Sequence, residues 1–156
     1  MLNDSDLSAI QREALIGVDR LSVSAAILHN GAVLVCTRSV TEDFLPEYSE
    51  LVGGGVDDGE SLWDALHREV GEETGIRIAS VVRHMPGFEY RDGSGGMVRE
   101  CSFIVTCDER DVLLNPAEHD AHFWVSPDDV AMLDGLRMTP EQRSLVDGAL
   151  THLTSL

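Results

Sequence analysis

The stretch Gly54–Ile76, GGVDDGESLWDALHREVGEETGI, joins a glycine-rich turn to a helix-forming run. Ser61 is a residue type that caps helix N-termini, and Gly75 is the type that ends helices. Apolar residues recur at i, i+4 and i+8 from Leu62, which is typical of a helix with one apolar face. The segment therefore predicts a turn followed by a helix that packs on a core.

The same helix carries Glu69, Glu72 and Glu73 within five residues, in a chain whose formal charge is −17. Like charges three and four residues apart destabilise a helix by about 0.2–0.5 kcal/mol per pair. Bound cations would offset this repulsion, and carboxylate oxygens suit Mg²⁺ or Mn²⁺. The pattern predicts a divalent-metal site; the alternative is an ordinary solvated helix face.

The spacing over Gly54–Ile76, G-x5-E-x7-R-E-V-x-E-E-x-G-I, resembles the Nudix box at every fixed position. The resemblance implies that the three box glutamates and the carbonyl of Gly53 bind the metal. It also implies that Glu60 and Arg68 form an ion pair that orients the loop and the helix. The alternative is an exposed pair that contributes less than about 1 kcal/mol.

The rest of the chain predicts one mixed α/β domain over residues 1–156, and the resemblance implies a Nudix-type α/β/α sandwich with a mixed central sheet. Asn30-Gly31 separates two β-rich runs and suits a type I′ hairpin turn. The other expected elements are a helix about 5–16 capped by Asp4 and Ser5, strands on both sides of the loop 91–96, a strand at 122–125, and helices near 127–133 and 139–152.

The composition limits the partners. Eleven Lys and Arg against 28 Asp and Glu argue against a partner that is a nucleic-acid polymer. The three cysteines are odd in number and lack CxxC spacing, which favours buried free thiols. The N-terminal segment has neither a basic n-region nor a long apolar run, so we expect a soluble cytoplasmic protein without a membrane partner. Homodimers are common in the family, which leaves a homodimer as one option.

The resemblance implies that water hydrolyses a nucleoside diphosphate linked to another group, with Mg²⁺ or Mn²⁺ as cofactor. Glu69 is the first candidate for the base, and ionised ligands imply a neutral to alkaline optimum. We expect a nucleoside triphosphate as substrate, because neither Pro86 nor Tyr90 has the spacing after the box associated with ADP-ribose or dinucleoside polyphosphates. ADP-ribose or a nucleotide sugar is the alternative substrate. A non-catalytic nucleotide-binding module is a second alternative, and a calcium-binding protein ranks last because the chain has no EF-hand loop.

The resemblance also implies that a carboxylate outside the box, from a later strand or loop, completes the metal site or acts as base. Glu118 lies six residues before Trp124 and resembles the glutamate of an E-H-x-x-x-x-W pattern in several Nudix groups. We favour Glu118, with His119 as a substrate contact. Glu100, at the start of a predicted strand, is the competing acid, and a solvated loop glutamate is the alternative for Glu118.

Candidate substrate contacts lie in predicted loops and at a strand end. Arg38 ends the second strand of the hairpin and is a candidate phosphate contact, although a plain surface arginine is nearly as good an interpretation. Aromatic faces stack on any base, but loop aromatics often only pack. The candidates for stacking are Phe44, Tyr48, Phe88 and Tyr90.

Overall fold

The computed structural model describes all 156 residues and confirms the expected mixed α/β fold. Eight strands form one sheet that lies between two helical layers. In chain order the elements are α1 (Asp4–Ala14), β1 (Arg20–His29), β2 (Ala32–Arg38), β3 (Ser49–Glu50), β4 (Val52–Gly55), α2 (Leu62–Thr74), β5 (Ser80–Met85), β6 (Glu89–Arg91), β7 (Met97–Thr106), β8 (His119–Val125), a 3-10 helix (Pro127–Gly135) and α3 (Pro140–Thr154).

The centre of the sheet is the parallel pair β1 and β7, in register from Arg20 beside Val98 to Leu28 beside Thr106. The other pairings are antiparallel, so the sheet is mixed as expected. β4 pairs with the first half of β1, and β8 and β3 both pair with β2. These pairings bring the glycine-rich turn and the start of β8 to the same end of the molecule.

Alternate side chains of the sheet enter two cores. Helices α1 and α2 cover one face, where Leu66 is 1% exposed. Helix α3 covers the other face through Leu145, Val146 and Ala149. The apolar side chains at i, i+4 and i+8 of α2 therefore pack on the sheet, as their spacing predicts.

Local turn chemistry agrees with the sequence at the hairpin and differs at α1. Asn30 and Gly31 have φ values of 47° and 75°, as a type I′ turn requires. The cap of α1 is Asn3 instead of Asp4 or Ser5, because Asn3 and Asp6 form a reciprocal capping box.

All three cysteines are buried free thiols. None of the helices has both the length and the apolar character that crossing a bilayer requires. The helix expected near residues 127–133 is present as a 3-10 helix, Pro127–Gly135.

Candidate metal and nucleotide site

Arg68 ties the glycine-rich turn to α2. Its Nε and Nη2 donate to the two carboxylate oxygens of Glu60 at 2.8 and 2.9 Å, and Nη2 also donates to the carbonyl oxygen of Gly55 at 3.0 Å. The hydrogen bonds from Arg68 lower the pKa of Glu60 to about 2. This two-point contact joins the loop to the helix, which is the geometry that the predicted orienting role requires.

Helix α1 supports the same turn through a residue that sequence reasoning missed. The side-chain amide of Gln11 donates to the carbonyl oxygen of Glu60 at 3.0 Å and accepts from the backbone N–H of Leu62 at 2.9 Å. Gln11 thus satisfies one of the free N–H groups at the start of α2. Its only sequence signal is a polar residue near the apolar stripe of α1.

The box glutamates differ sharply in burial. Glu69 and Glu73 are 9% and 5% exposed, whereas the Glu72 side chain is 57% exposed. The carboxylate of Glu69 lies directly against Gly54, and Glu73 Oε2 accepts the backbone N–H of Gly53 at 3.0 Å. A solvated helix face does not fit the burial of Glu69 and Glu73, and of the three box glutamates Glu72 alone is exposed.

The start of β8 brings a further acid to this place. Carboxylate oxygens of Glu73 and Glu118 and a ring nitrogen of His119 all lie within 4.8 Å of one another. Burial raises the pKa of Glu69, and burial together with the nearby Glu118 carboxylate raises the pKa of Glu73. Crowded, buried oxygen donors are costly alone and fit a hard divalent cation, which would offset their repulsion.

His119 is a buried member of the acidic group formed by Glu73, Glu118 and His119. Its side chain is 2% exposed, and its Nε2 is 3.0 Å from Oε2 of Glu50. Its Nδ1 is buried without a hydrogen-bond partner. This burial disfavours the predicted substrate contact. Glu50 itself was not predicted, because the sequence does not show that β3 pairs beside β2.

A pocket of about 380 Å³ opens beside the glycine-rich turn. Most of the predicted substrate contacts line this pocket, together with polar side chains that the sequence analysis did not predict. The Arg38 guanidinium already forms ion pairs with Glu42 at 3.2 Å and Glu50 at 3.3 Å, so only part of it is free to bind a phosphate. The predicted residues that line the pocket are Arg38, Phe44, Tyr48, Phe88 and Tyr90, and the unforeseen ones include Ser22, Ser24 and Gln142.

Glu100 belongs to this pocket and not to the acidic group. Its Oε2 accepts a hydrogen bond from the hydroxyl of Ser24 at 3.2 Å. Burial raises its pKa to about 7, with a further contribution from the Glu50 carboxylate. Of the two competing acids, Glu118 is the one that the fold places beside Glu73.

Comparison with known proteins agrees with this geometry. The NUDIX domain family matches residues 18–147. The chain belongs to the Nudix family. Relatives of this Nudix hydrolase include the nucleoside triphosphatase NudI of Enterobacter sp. (strain 638), 30% identical over 139 residues, with 81% of this chain and 98% of the relative covered. NudI of Klebsiella pneumoniae (strain 342) is 28% identical over 141 residues, with the same coverage.

Solved structures show the same fold. The crystal structure of the MutT protein from Methanosarcina mazei Go1 superimposes on this Nudix hydrolase with a TM-score of 0.71, at 26% identity over 85% of this chain and 94% of that one. A Nudix hydrolase from Clostridium perfringens reaches 0.69 at 14% identity, over 87% of this chain and 97% of that one. Helix α1 precedes the matched family range, although its Gln11 supports the box.

Proposed function

We propose that this Nudix hydrolase cleaves nucleoside triphosphates to nucleoside monophosphate and pyrophosphate, with Mg²⁺ or Mn²⁺ as cofactor. The observation that carries the proposal is the position of the buried Glu69 and Glu73 at Gly53 and Gly54, which themselves line the aromatic pocket. An acidic metal site next to a base-sized pocket suits a substrate with a polyphosphate at one end and a base at the other. The nucleoside triphosphatase activity named for the Enterobacter relative supports the same substrate class.

The chain offers Glu69, Glu72, Glu73, Glu118 and the carbonyl of Gly53 as metal ligands. Bound divalent ions would neutralise phosphate charge and lower the pKa of the attacking water. Glu69 and Glu118 are the candidates to accept the proton of that water, since both lie near Glu73. The Arg68 to Glu60 contact holds α2 at the angle that this arrangement needs.

The pocket side of the site would hold the nucleoside. Tyr90 is 36% exposed and Phe44 is 68% exposed, so both rings offer a face to a base. Tyr48 lines the same pocket. Arg38 keeps part of its guanidinium for Glu42 and Glu50, so we assign it to the pocket wall with a phosphate contact as a secondary role.

A substrate screen tests the proposal. Purified protein with Mg²⁺ or Mn²⁺ is incubated with nucleoside triphosphates, oxidised triphosphates, ADP-ribose, nucleotide sugars and dinucleoside polyphosphates, and kcat/KM is compared. Triphosphates should rank first, should yield pyrophosphate, and should not be hydrolysed in excess chelator. A higher kcat/KM for ADP-ribose or a sugar nucleotide, or a rate that survives the chelator, overturns the proposal. Glu69→Gln is the control for a contaminating phosphatase.

We also propose that the enzyme is cytoplasmic. Cys36, Cys101 and Cys107 are all buried and unpaired, which suits a reducing compartment. Both the pocket and the acidic group are built within one chain, so a homodimer is not required for the proposed chemistry.

A further inference from the structure

His119, the first residue of β8, is a buried histidine with one unpaired ring nitrogen. Its side chain is 2% exposed. Its Nε2 lies 3.0 Å from Oε2 of Glu50, whereas its Nδ1 is buried without a hydrogen-bond partner. Buried polar atoms are normally paired, so Nδ1 indicates a partner that the protein itself does not supply.

The contact with Glu50 determines which ring nitrogen carries the proton. An ionised carboxylate only accepts, so the N–H of Nε2 donates to Glu50, and Nδ1 of the neutral ring keeps a free lone pair. Glu50 is held in turn by Arg38, whose Nη1 lies 3.3 Å from the same carboxylate oxygen. Histidines that bind metals are typically oriented in this way, with the second ring nitrogen on a carboxylate. The lone pair on Nδ1 therefore suits a cation.

The neighbours of this ring are metal-binding residue types. A ring nitrogen of His119 and carboxylate oxygens of Glu73 and Glu118 all lie within 4.8 Å of one another. Donor atoms that bind one cation at 2.0–2.2 Å lie at most about 4.4 Å apart, so movements of less than about 1 Å would bring all three onto one ion. Glu118 is partly exposed, and its flexible side chain can make this adjustment and admit an ion to the buried nitrogen.

The nitrogen donor distinguishes this group from a site made of carboxylates alone. Carboxylate and carbonyl oxygens suit Mg²⁺, whereas an imidazole nitrogen favours transition-metal ions, with affinity that rises from Mn²⁺ to Co²⁺. Glu69 and Glu72 offer only oxygen, so His119 is the residue that would set a preference among divalent ions.

We propose that Nδ1 of His119 binds a divalent cation together with Glu73 and Glu118, so that the enzyme binds transition-metal ions such as Mn²⁺ and Co²⁺ in preference to Mg²⁺. This inference rests on the proposed function, which gives the cation its role in phosphate hydrolysis. It makes His119 a metal ligand and makes Glu50 the residue that orients it.

Electron spin echo spectroscopy of bound Mn²⁺ tests the nitrogen contact directly, since it detects the coupling of a coordinated histidine nitrogen to the metal. Protein without an affinity tag is loaded with Mn²⁺ in the absence of nucleotide. The wild type should show the nitrogen coupling. His119→Gln should lose it, because the glutamine amide can still donate to Glu50 but places no donor at Nδ1. His122→Gln, the same exchange at an exposed histidine of β8, should keep it.

Calorimetry of the same three proteins gives the metal preference. His119→Gln should raise the Kd for Co²⁺ by at least about tenfold and the Kd for Mg²⁺ by less than about threefold, so that the ratio of the two changes. A histidine that only packs against Glu73 and Glu118 would change both Kd values by the same factor. His122→Gln should leave both values as they are in the wild type.

Absence of nitrogen coupling in the wild type would overturn the inference, as would coupling or a ratio of Kd values that His119→Gln leaves unchanged. If His119→Gln does not fold, anomalous scattering from wild-type crystals soaked in Mn²⁺ decides the question, and an ion that is not coordinated by Nδ1 of His119 refutes the assignment. None of these measurements contains a nucleotide. A failure to hydrolyse triphosphates would therefore overturn the proposed function and leave the result on His119 standing.

Discussion

Three successive glycines allow the site to be perturbed one position at a time. None of Gly53, Gly54 and Gly55 has a positive φ, so alanine fits the backbone conformation at each. What differs is the neighbour that a new Cβ would meet. At Gly53 it would collide with the Val23 carbonyl and lie 2.7 Å from the Cα of Ser24, while at Gly55 the nearest atom is an arginine nitrogen at 3.9 Å.

Gly54→Ala is the informative member of this series. Its Cβ would lie 2.5 Å from Cδ and 2.6 Å from Oε2 of Glu69, against an ordinary contact of 3.4 Å or more. The Glu69 carboxylate must therefore move by about 1 Å, which a flexible side-chain end can do. A misplacement of about 1 Å can cost about 10²-fold in rate when the displaced group binds the metal or the water. We expect kcat to fall about 10²-fold while the unfolding temperature changes by less than about 3 °C.

The three alanine variants are compared by thermal unfolding and by pyrophosphate release with saturating Mg²⁺. Gly53→Ala should lose about 3 kcal/mol or more, a fall of at least about 6 °C, because backbone must move. Gly55→Ala should keep both stability and turnover, and it is the matched control. Full activity in Gly54→Ala, or a stability loss equal to that of Gly53→Ala, would refute the assignment of the Gly54 space to the Glu69 carboxylate.

Three further perturbations separate metal binding, folding and loop orientation. Glu118→Gln should weaken Mg²⁺ activation or lower kcat by at least about tenfold. Glu100→Gln should leave the dependence of activity on Mg²⁺ concentration unchanged. The reverse result would transfer the ligand role to Glu100. Leu66→Ala should lower the free energy of unfolding in urea by about 2–5 kcal/mol, with normal turnover of the folded fraction. Glu69→Gln should keep its stability and lose about 10²-fold or more in kcat. Equal stability losses with unchanged turnover in both variants would contradict this division of roles. Because the folded pKa of Glu60 is depressed to about 2, its contribution to stability is full above its unfolded pKa of about 4.3 and is lost as pH falls through about 2. The stability difference between the wild type and Glu60→Gln should shrink over that window, and a difference independent of pH would rule out the ion pair as its source.

Local sequence determined the elements that depend on neighbours along the chain. The Oγ of Ser61 caps α2 through the N–H of Asp64, and Gly75 ends the helix at φ 71°, both as the sequence predicts. The Asn30-Gly31 turn follows from the same kind of short-range chemistry. The box spacing also placed Arg68 within reach of Glu60, since loop and helix are continuous in the chain.

Only the tertiary structure decided how distant segments share one site. Pairing of β8 with β2 carries Glu118 to Glu73, and pairing of β3 with β2 places Glu50 against His119. The parallel register of β1 and β7 sets Ser22 beside Glu100, although 78 residues separate them in sequence. The alternation of apolar residues shows which side chains of one strand share a face, but it does not show which strands lie beside each other. The packing of the whole sheet between its two helical layers selects the register, because a slip by one residue would turn every buried side chain to the wrong face.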